Sequence, residues 1–132
     1  MSKLLLIIED NEQNLYMMRF LLEKSGFSVI GAENGPEGIK AALRHKPQGI
    51  LLDIQLPEMD GYTVAAELKK HSELCDIPII AVTSYAMVGD REQILAAGAY
   101  GYMEKPINPE SFVDEIRKFL HDYNKGNDKK GV

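Results

Sequence analysis

The chain has 132 residues, of which 45% are hydrophobic and 27% charged, and these values are typical of one globular domain with its own core. Its formal net charge of −5 argues against a broad nucleic-acid-binding surface, so we expect no direct nucleic-acid partner. A single cysteine excludes an internal disulfide framework, and the apolar runs are too short for a signal-peptide core or a membrane span. We therefore expect a cytoplasmic protein with no membrane partner.

Five apolar runs along the chain are predicted to be β-strands. They cover residues 3–8, 28–32, 49–53, 77–83 and 99–104. The first, third and fourth runs are apolar without alternation, which is typical of strands that are covered on both faces of a parallel sheet.

Each predicted strand is followed by a helical pattern. The first places Leu15, Met18 and Leu22 on one face. The second begins near Pro36, because a proline at a helix start has no N–H that needs a partner there. The third covers about residues 61–70.

The last two helical patterns have recognisable ends. The fourth covers about residues 87–97 and ends at Gly98, a typical C-terminal cap. The fifth begins at Asn108 and Pro109, as cap and first helical residue. Its predicted buried stripe consists of Phe112, Ile116, Phe119 and Tyr123.

Five strand–helix units predict an α/β fold, a doubly wound five-stranded parallel sheet of the flavodoxin-like (βα)5 kind with strand order 2-1-3-4-5. The helical pattern stops after Tyr123, where Gly, Asn, Asp and Lys dominate. We therefore expect one domain over residues 1–123 and a disordered C-terminal tail over residues 124–132.

Polar side chains follow four of the predicted strands at their carboxyl ends. Glu9 and Asp10 follow the first strand, Asp53 ends the third, Thr83 ends the fourth, and Lys105 follows the fifth. Ligands of open α/β sheets bind outside these strand ends, so we expect the side chains to converge on one rim.

Three carboxylates on one rim need a compensating cation, since two of them about 5 Å apart repel by roughly 3 kcal/mol at an effective dielectric near 20. Hard oxygen ligands with room for water favour Mg²⁺, which we expect as the cofactor. Lys105 would pair with Asp53 and steady the oxygens of a transferred phosphoryl group, and Thr83 would offer a hydroxyl donor.

These positions resemble the signature of response-regulator receiver domains in two-component signalling. The resemblance covers about residues 3–123 and is especially close over residues 53–61, which read DIQLPEMDG. The chain looks most like stand-alone receivers of the kind that relay signals in bacterial cell-cycle control, or like receivers taken from hybrid kinases.

The resemblance implies a phosphoacceptor and its metal. Asp53 would take a phosphoryl group from a phosphohistidine on a sensor histidine kinase or a histidine phosphotransfer protein. Asp10, Asp53 and the backbone carbonyl of Gln55 would ligate Mg²⁺, and Glu9 would act through water.

The resemblance also implies a conformational switch. Thr83 and Lys105 would contact the phosphoryl group, Thr83 would move toward it, and Tyr102 would turn inward. The face formed by the fourth helix, fifth strand and fifth helix would then bind a downstream protein. The domain would catalyse only its own phosphorylation and dephosphorylation, so we do not class it as an enzyme. A cis peptide bond before Pro106 would aim Lys105 inward.

Simpler interpretations exist for each residue taken alone. Glu9 and Asp10 are candidate caps of the first helix, Lys105 a solvated lysine, Thr83 an ordinary strand residue and Tyr102 an edge-strand aromatic.

Two other classes of protein share this fold. A flavodoxin-like binder of a mononucleotide or flavin would need a phosphate-cradling loop after the first strand, where the acidic pair stands instead. A silent receiver that serves only as an interaction module would not need all five site positions, which are intact.

Overall fold

The computed structural model describes residues 3–84 and 88–130. Its strands are β1 (Leu4–Ile8), β2 (Ser28–Ala32), β3 (Gly49–Asp53), β4 (Ile79–Thr83) and β5 (Gly101–Glu104). They form one parallel sheet in the order β2-β1-β3-β4-β5, which confirms the predicted doubly wound α/β fold.

Five helices connect or follow the strands. They are α1 (Glu12–Lys24), α2 (Gly35–His45), α3 (Gly61–Lys70), α4 (Val88–Ala96) and α5 (Phe112–Lys130). The predicted first residue of α4, Met87, lies outside the described residues. None of the described helices has the length and apolar character needed to cross a membrane.

The core lies in two layers, one on each face of the sheet. Leu52 of β3 belongs to the layer that includes residues of α2, α3 and α4, whereas Leu51 belongs to the layer that includes residues of α1 and α5. Every residue of β3 is buried, as expected for a central strand with helices on both sides. The sheet is therefore a rigid platform, and its strand ends hold fixed positions.

Side-chain caps set the starts of the first three helices. Asn11 caps α1, Asn34 caps α2 and Asp60 caps α3, and each side-chain oxygen accepts an N–H three residues further on at 2.9 Å. The alternative that Glu9 and Asp10 cap the first helix is therefore wrong, although Glu9 Oε2 accepts the N–H of the capping residue Asn11 itself at 3.4 Å.

The start of α5 differs from the prediction. The helix begins at Phe112 and not at Pro109, because residues 109–111 form a turn. The Asn108 carbonyl accepts the N–H of Ser111 at 3.2 Å and that of Phe112 at 2.9 Å, so a tighter turn precedes the helix proper.

The buried stripe of α5 also differs in part. Phe112 and Ile116 are fully buried as predicted, but the third buried residue is Leu120. Phe119 and Tyr123 are only half-buried, and each lies nearly perpendicular to the exposed ring of Tyr100, with ring centroids 6.4 Å and 5.1 Å away.

The end of α5 lies further along the chain than predicted. Residues 124–132 were expected to form a disordered tail; the helix continues to Lys130, and residues 131 and 132 lie outside the described residues. Extending an existing helix fixes one residue for each new hydrogen bond, so weak helix formers can follow a well-packed helix.

Candidate functional site

The predicted site residues converge at the carboxyl ends of the strands. Asp53 closes β3, Thr83 closes β4, and Lys105 follows β5. The Lys105 Nζ atom lies 3.0 Å from Glu9 Oε1 and 3.3 Å from Asp53 Oδ2. Glu9, Asp53 and Thr83 are the buried polar residues of the described chain, at 1%, 3% and 1% exposure. The rim predicted from the sequence thus exists as a compact, mostly buried cluster.

The backbone before Pro106 directs Lys105 into this cluster. The Lys105–Pro106 peptide bond, which was expected to be cis, is cis. The Lys105 N–H donates to the Thr83 carbonyl at 2.8 Å, which fixes the start of the loop to β4. The Lys105 side chain is only 16% exposed, so it is not the solvated lysine of the simpler interpretation.

Three carboxylates meet at the rim in an arrangement that fits a divalent cation. One oxygen from each of Glu9, Asp10 and Asp53 lies within 4.8 Å of the others, and Asp10 is the exposed member. Glu9 Oε1 contacts the Lys105 ammonium but, within the described chain, it lacks a partner with hydrogen-bond geometry. An all-oxygen set with one solvent-facing member suits Mg²⁺, which prefers carboxylates and keeps several waters.

The pKa values of the two buried carboxyls, Glu9 and Asp53, are shifted in opposite directions. Burial, and then the neighbouring Asp53, raise the pKa of Glu9 to about 7. Burial also favours the neutral form of Asp53, but hydrogen bonds from Glu9 and from the Gln55 N–H, together with the Lys105 charge, hold its pKa below the ordinary value. Asp53 is therefore the ionised carboxylate of the pair at neutral pH.

The ammonium group responds to the same neighbours. Burial disfavours the charged form of Lys105, but its contacts with Glu9 and Asp53 outweigh burial and raise its pKa. The site therefore holds a permanent cation against Asp53.

The loop after β3 is folded tightly against the strand end. The Gln55 N–H donates to Asp53 Oδ1 at 3.0 Å, so one carboxylate oxygen is held by the backbone while Lys105 contacts the other. Gly61 donates its N–H to the Ile54 carbonyl at 2.9 Å, and a Cβ at Gly61 would lie 2.4 Å from Ile54 Cα. The absence of a side chain at Gly61 lets α3 begin directly beside the loop that follows Asp53.

Tyr102 lies on β5, outside the carboxylate cluster, and is half-buried. The Arg91 guanidinium of α4 sits 5.3 Å from the Tyr102 ring centroid, and Arg91 also pairs with Glu104 at 3.9 Å. Arg91 was not predicted from the sequence. Its partners come from another element, and no local pattern indicates such a contact.

An open pocket of about 460 Å³ adjoins the cluster on the α1 side. It is lined by Glu9, Asn14, Met17, Met18, Ser84, Lys105, Pro106 and Ile107. The apolar wall of this pocket was not predicted from the sequence, and neither was Ser84, which directly follows Thr83. The pocket gives access to the cluster from solvent at the end where the ammonium group lies.

Comparison with known families and proteins gives consistent matches. The model of the response regulator receiver domain matches residues 5–117. The chain is 45% identical over 122 residues to the polar-differentiation response regulator DivK of Brucella anthropi, covering 92% of this chain and 99% of that protein.

Solved structures agree with this match. A CheY-like receiver domain protein from Methanospirillum hungatei superposes with a TM-score of 0.86 at 29% identity, covering 96% of this chain and 99% of the other. The receiver domain of the sensor histidine kinase PA1611 from Pseudomonas aeruginosa superposes with a TM-score of 0.83 at 30% identity, covering 92% and 99%, and it coordinates a magnesium ion in its active-site cleft.

Proposed function

This chain belongs to the response regulator receiver family, and we propose that it is a signalling switch that accepts a phosphoryl group on Asp53 from a sensor histidine kinase or a histidine phosphotransfer protein. The observation that carries this proposal is the state of Asp53. The carboxylate is 3% exposed, ionised, and held between the Lys105 ammonium and the Gln55 N–H. A buried carboxylate fixed in this way is a positioned nucleophile.

The transfer itself exchanges one bond to phosphorus for another. A carboxylate oxygen of Asp53 attacks the phosphorus of a phosphohistidine, the P–N bond breaks, and the imidazole leaves with the bonding electrons and takes up a proton. Charge develops on the phosphoryl oxygens during this step, and the Lys105 ammonium, 3.3 Å from the attacking carboxylate of Asp53, is placed to stabilise that charge. The Thr83 hydroxyl, at the end of the neighbouring strand, is proposed to donate to the same oxygens.

Mg²⁺ would be held by Asp10, Asp53 and the backbone carbonyl of Gln55, with Glu9 acting through water. When bound, the metal neutralises charge between the carboxylates and the incoming phosphoryl group. The carboxylate cluster and the magnesium ion in the PA1611 receiver support this assignment.

Phosphorylation changes the partners of Lys105. In the unphosphorylated protein its ammonium bridges Glu9 and Asp53. A phosphoryl group on Asp53 carries more negative charge than the carboxylate it replaces, so it is the stronger partner for the ammonium. We propose that Thr83 then moves toward the phosphoryl group and that Tyr102 turns inward.

The output of the switch is a protein contact at the α4–β5–α5 face, since Tyr102 and its Arg91 contact lie there. The DivK relative is named as a polar-differentiation response regulator, which supports a signalling role. The chain would act in the cytoplasm, without direct nucleic-acid binding, and would catalyse only its own phosphorylation and the later hydrolysis of the aspartyl phosphate.

Transfer from a radiolabelled histidine kinase in the presence of Mg²⁺ tests the proposal. The label should leave the kinase and appear on this chain, and Asp53→Asn should abolish the transfer. Asp76→Asn is the matched control, because Asp76 is an exposed acid that precedes β4 at the opposite end of the sheet. Equal labelling of the wild-type chain and Asp53→Asn would contradict the assignment of the phosphoacceptor.

A further inference from the structure

Helix α1 carries an exposed pair of aromatic side chains. Tyr16 and Phe20 are 70% and 52% exposed, more than any other large hydrophobic side chain in residues 3–84 and 90–126. Their rings stack with centroids 6.3 Å apart and planes 15° from parallel. An apolar pair presented in one fixed arrangement on a helix surface is typical of an interaction site.

The pair lies in the middle of a row with opposite charges at its ends. Glu12, Tyr16, Phe20 and Lys24 are spaced four residues apart, so they form one ridge about 18 Å long on the helix surface. The Lys24 ammonium lies 5.9 Å from the Phe20 ring centroid. Neither Glu12 nor Lys24 forms an ion pair with another residue in the described part of the chain, whereas the neighbouring Arg19 and Glu23 satisfy each other at 3.3 Å.

We propose that this ridge binds the same ridge of a second copy of the chain, with the two α1 helices antiparallel about a two-fold axis at the level of residue 18. That register places Tyr16 of one copy against Phe20 of the other. It also places Glu12 of each copy against Lys24 of the other, since the two positions are equally far from the axis. The ridge is thus complementary to itself in the order of its charges and in the placement of its aromatic pair, as a two-fold interface requires. Rows spaced four residues apart are also the ridges that interlock most often between helices.

A second copy is favoured over another protein because α1 carries both the acidic and the basic partner of each proposed ion pair. The same ridge on a second copy supplies every group that the acidic end, the aromatic centre and the basic end would contact. One helix per copy buries less than the roughly 1,200 Å² of total surface that marks stable complexes, so the pair dissociates readily and forms at high concentration.

Sedimentation velocity of the wild-type chain from about 10 μM to about 1 mM tests the proposal, since weak association is visible in this range. The sedimentation coefficient should rise with concentration toward that of a dimer. Glu12→Lys places like charges at both ends of the pair and should weaken association roughly tenfold. The double change Glu12→Lys with Lys24→Glu re-creates the two ion pairs in reverse and should restore association.

Two further variants complete the experiment. Phe20→Ser removes the aromatic centre from an exposed position and should abolish association without unfolding the chain, as circular dichroism would verify. Leu95→Glu is the matched control, because Leu95 is 49% exposed on α4 and should leave association unchanged.

A wild-type chain that stays monomeric over the whole range would overturn the proposal. So would a double reversal that stays as weak as Glu12→Lys, since that result excludes the antiparallel register. Loss of binding to a histidine kinase in Phe20→Ser, with a monomeric wild type, would show that another protein covers the ridge. Phosphorylation of Asp53 from acetyl phosphate should be unchanged in all variants, so this proposal and the proposed function fail independently.

Discussion

Replacing Glu9 by glutamine tests the electrostatics of the site. Glu9 is 1% exposed, and burial together with Asp53 raises its pKa from 4.5 to about 7. A carboxyl with a raised pKa binds its proton more tightly in the folded than in the unfolded chain. The resulting stabilisation is fully present below about pH 4.5 and is lost as the pH rises through about 7.

The magnitude follows from the size of the shift. A change from 4.5 to about 7 corresponds to about 3 kcal/mol at 1.36 kcal/mol per pKa unit. Glu9→Gln keeps the shape of the side chain and removes its titration. In metal-free buffer the variant should therefore gain stability relative to the wild type between pH 5 and pH 8, by up to about 3 kcal/mol. Asp53 and Lys105 do not titrate between pH 5 and pH 8, because the pKa of Asp53 is lowered from 3.8 and the pKa of Lys105 is raised from 10.5.

Urea unfolding at a series of pH values, with a chelator present, measures this difference. Subtracting the wild-type free energy of unfolding from that of the variant cancels the titrating groups that the two chains share. Glu92→Gln, on the exposed surface of α4, is the matched control and should show no pH-dependent difference. Parallel curves for the wild type and Glu9→Gln would refute the inferred buried, proton-binding state of Glu9.

Three further changes test other parts of the site. Lys105→Met removes the cation beside Asp53, and the initial rate of labelling by acetyl phosphate, followed by intact mass, should fall by about 10²–10³, the usual loss for one transition-state donor; an unchanged rate would contradict the proposed role of Lys105. Arg91→Ala removes the contact with the Tyr102 ring, worth about 0.5–1 kcal/mol, so ring chemical shifts of labelled tyrosine should report about a two- to fivefold larger inward population; identical shifts would contradict the contact. Gly61→Ala places a methyl group 2.4 Å from Ile54 Cα and should lower the free energy of unfolding by about 1–3 kcal/mol in urea, whereas an unchanged midpoint would contradict the tight loop.

The sequence was sufficient to predict the sheet and the residues at its strand ends. Runs such as residues 49–53 are short and have no polar alternation, which is typical of a strand covered on both faces. Once the strands are known, parallel topology brings Asp53, Thr83 and Lys105 to the same edge without further information. Local sequence patterns identify the strands, and the parallel arrangement of those strands then sets the positions of these residues.

Contacts between distant elements were not predictable in the same way. The pairing of Lys105 with Glu9 as well as Asp53 depends on side-chain distances of about 3 Å, which strand spacing alone does not set. The contact of Arg91 with Tyr102 depends on how α4 packs beside β5. Helix ends depend on single hydrogen bonds, such as those of the Asn108 carbonyl.

The most direct test of the central claim is the intact mass of the chain after incubation with acetyl phosphate and Mg²⁺. We expect a gain of one phosphoryl group that is lost in Asp53→Asn and when the metal is removed by a chelator. If neither acetyl phosphate nor a phosphorylated histidine kinase adds a phosphoryl group to the wild-type chain, the claim that Asp53 is the phosphoacceptor of a signalling switch is wrong.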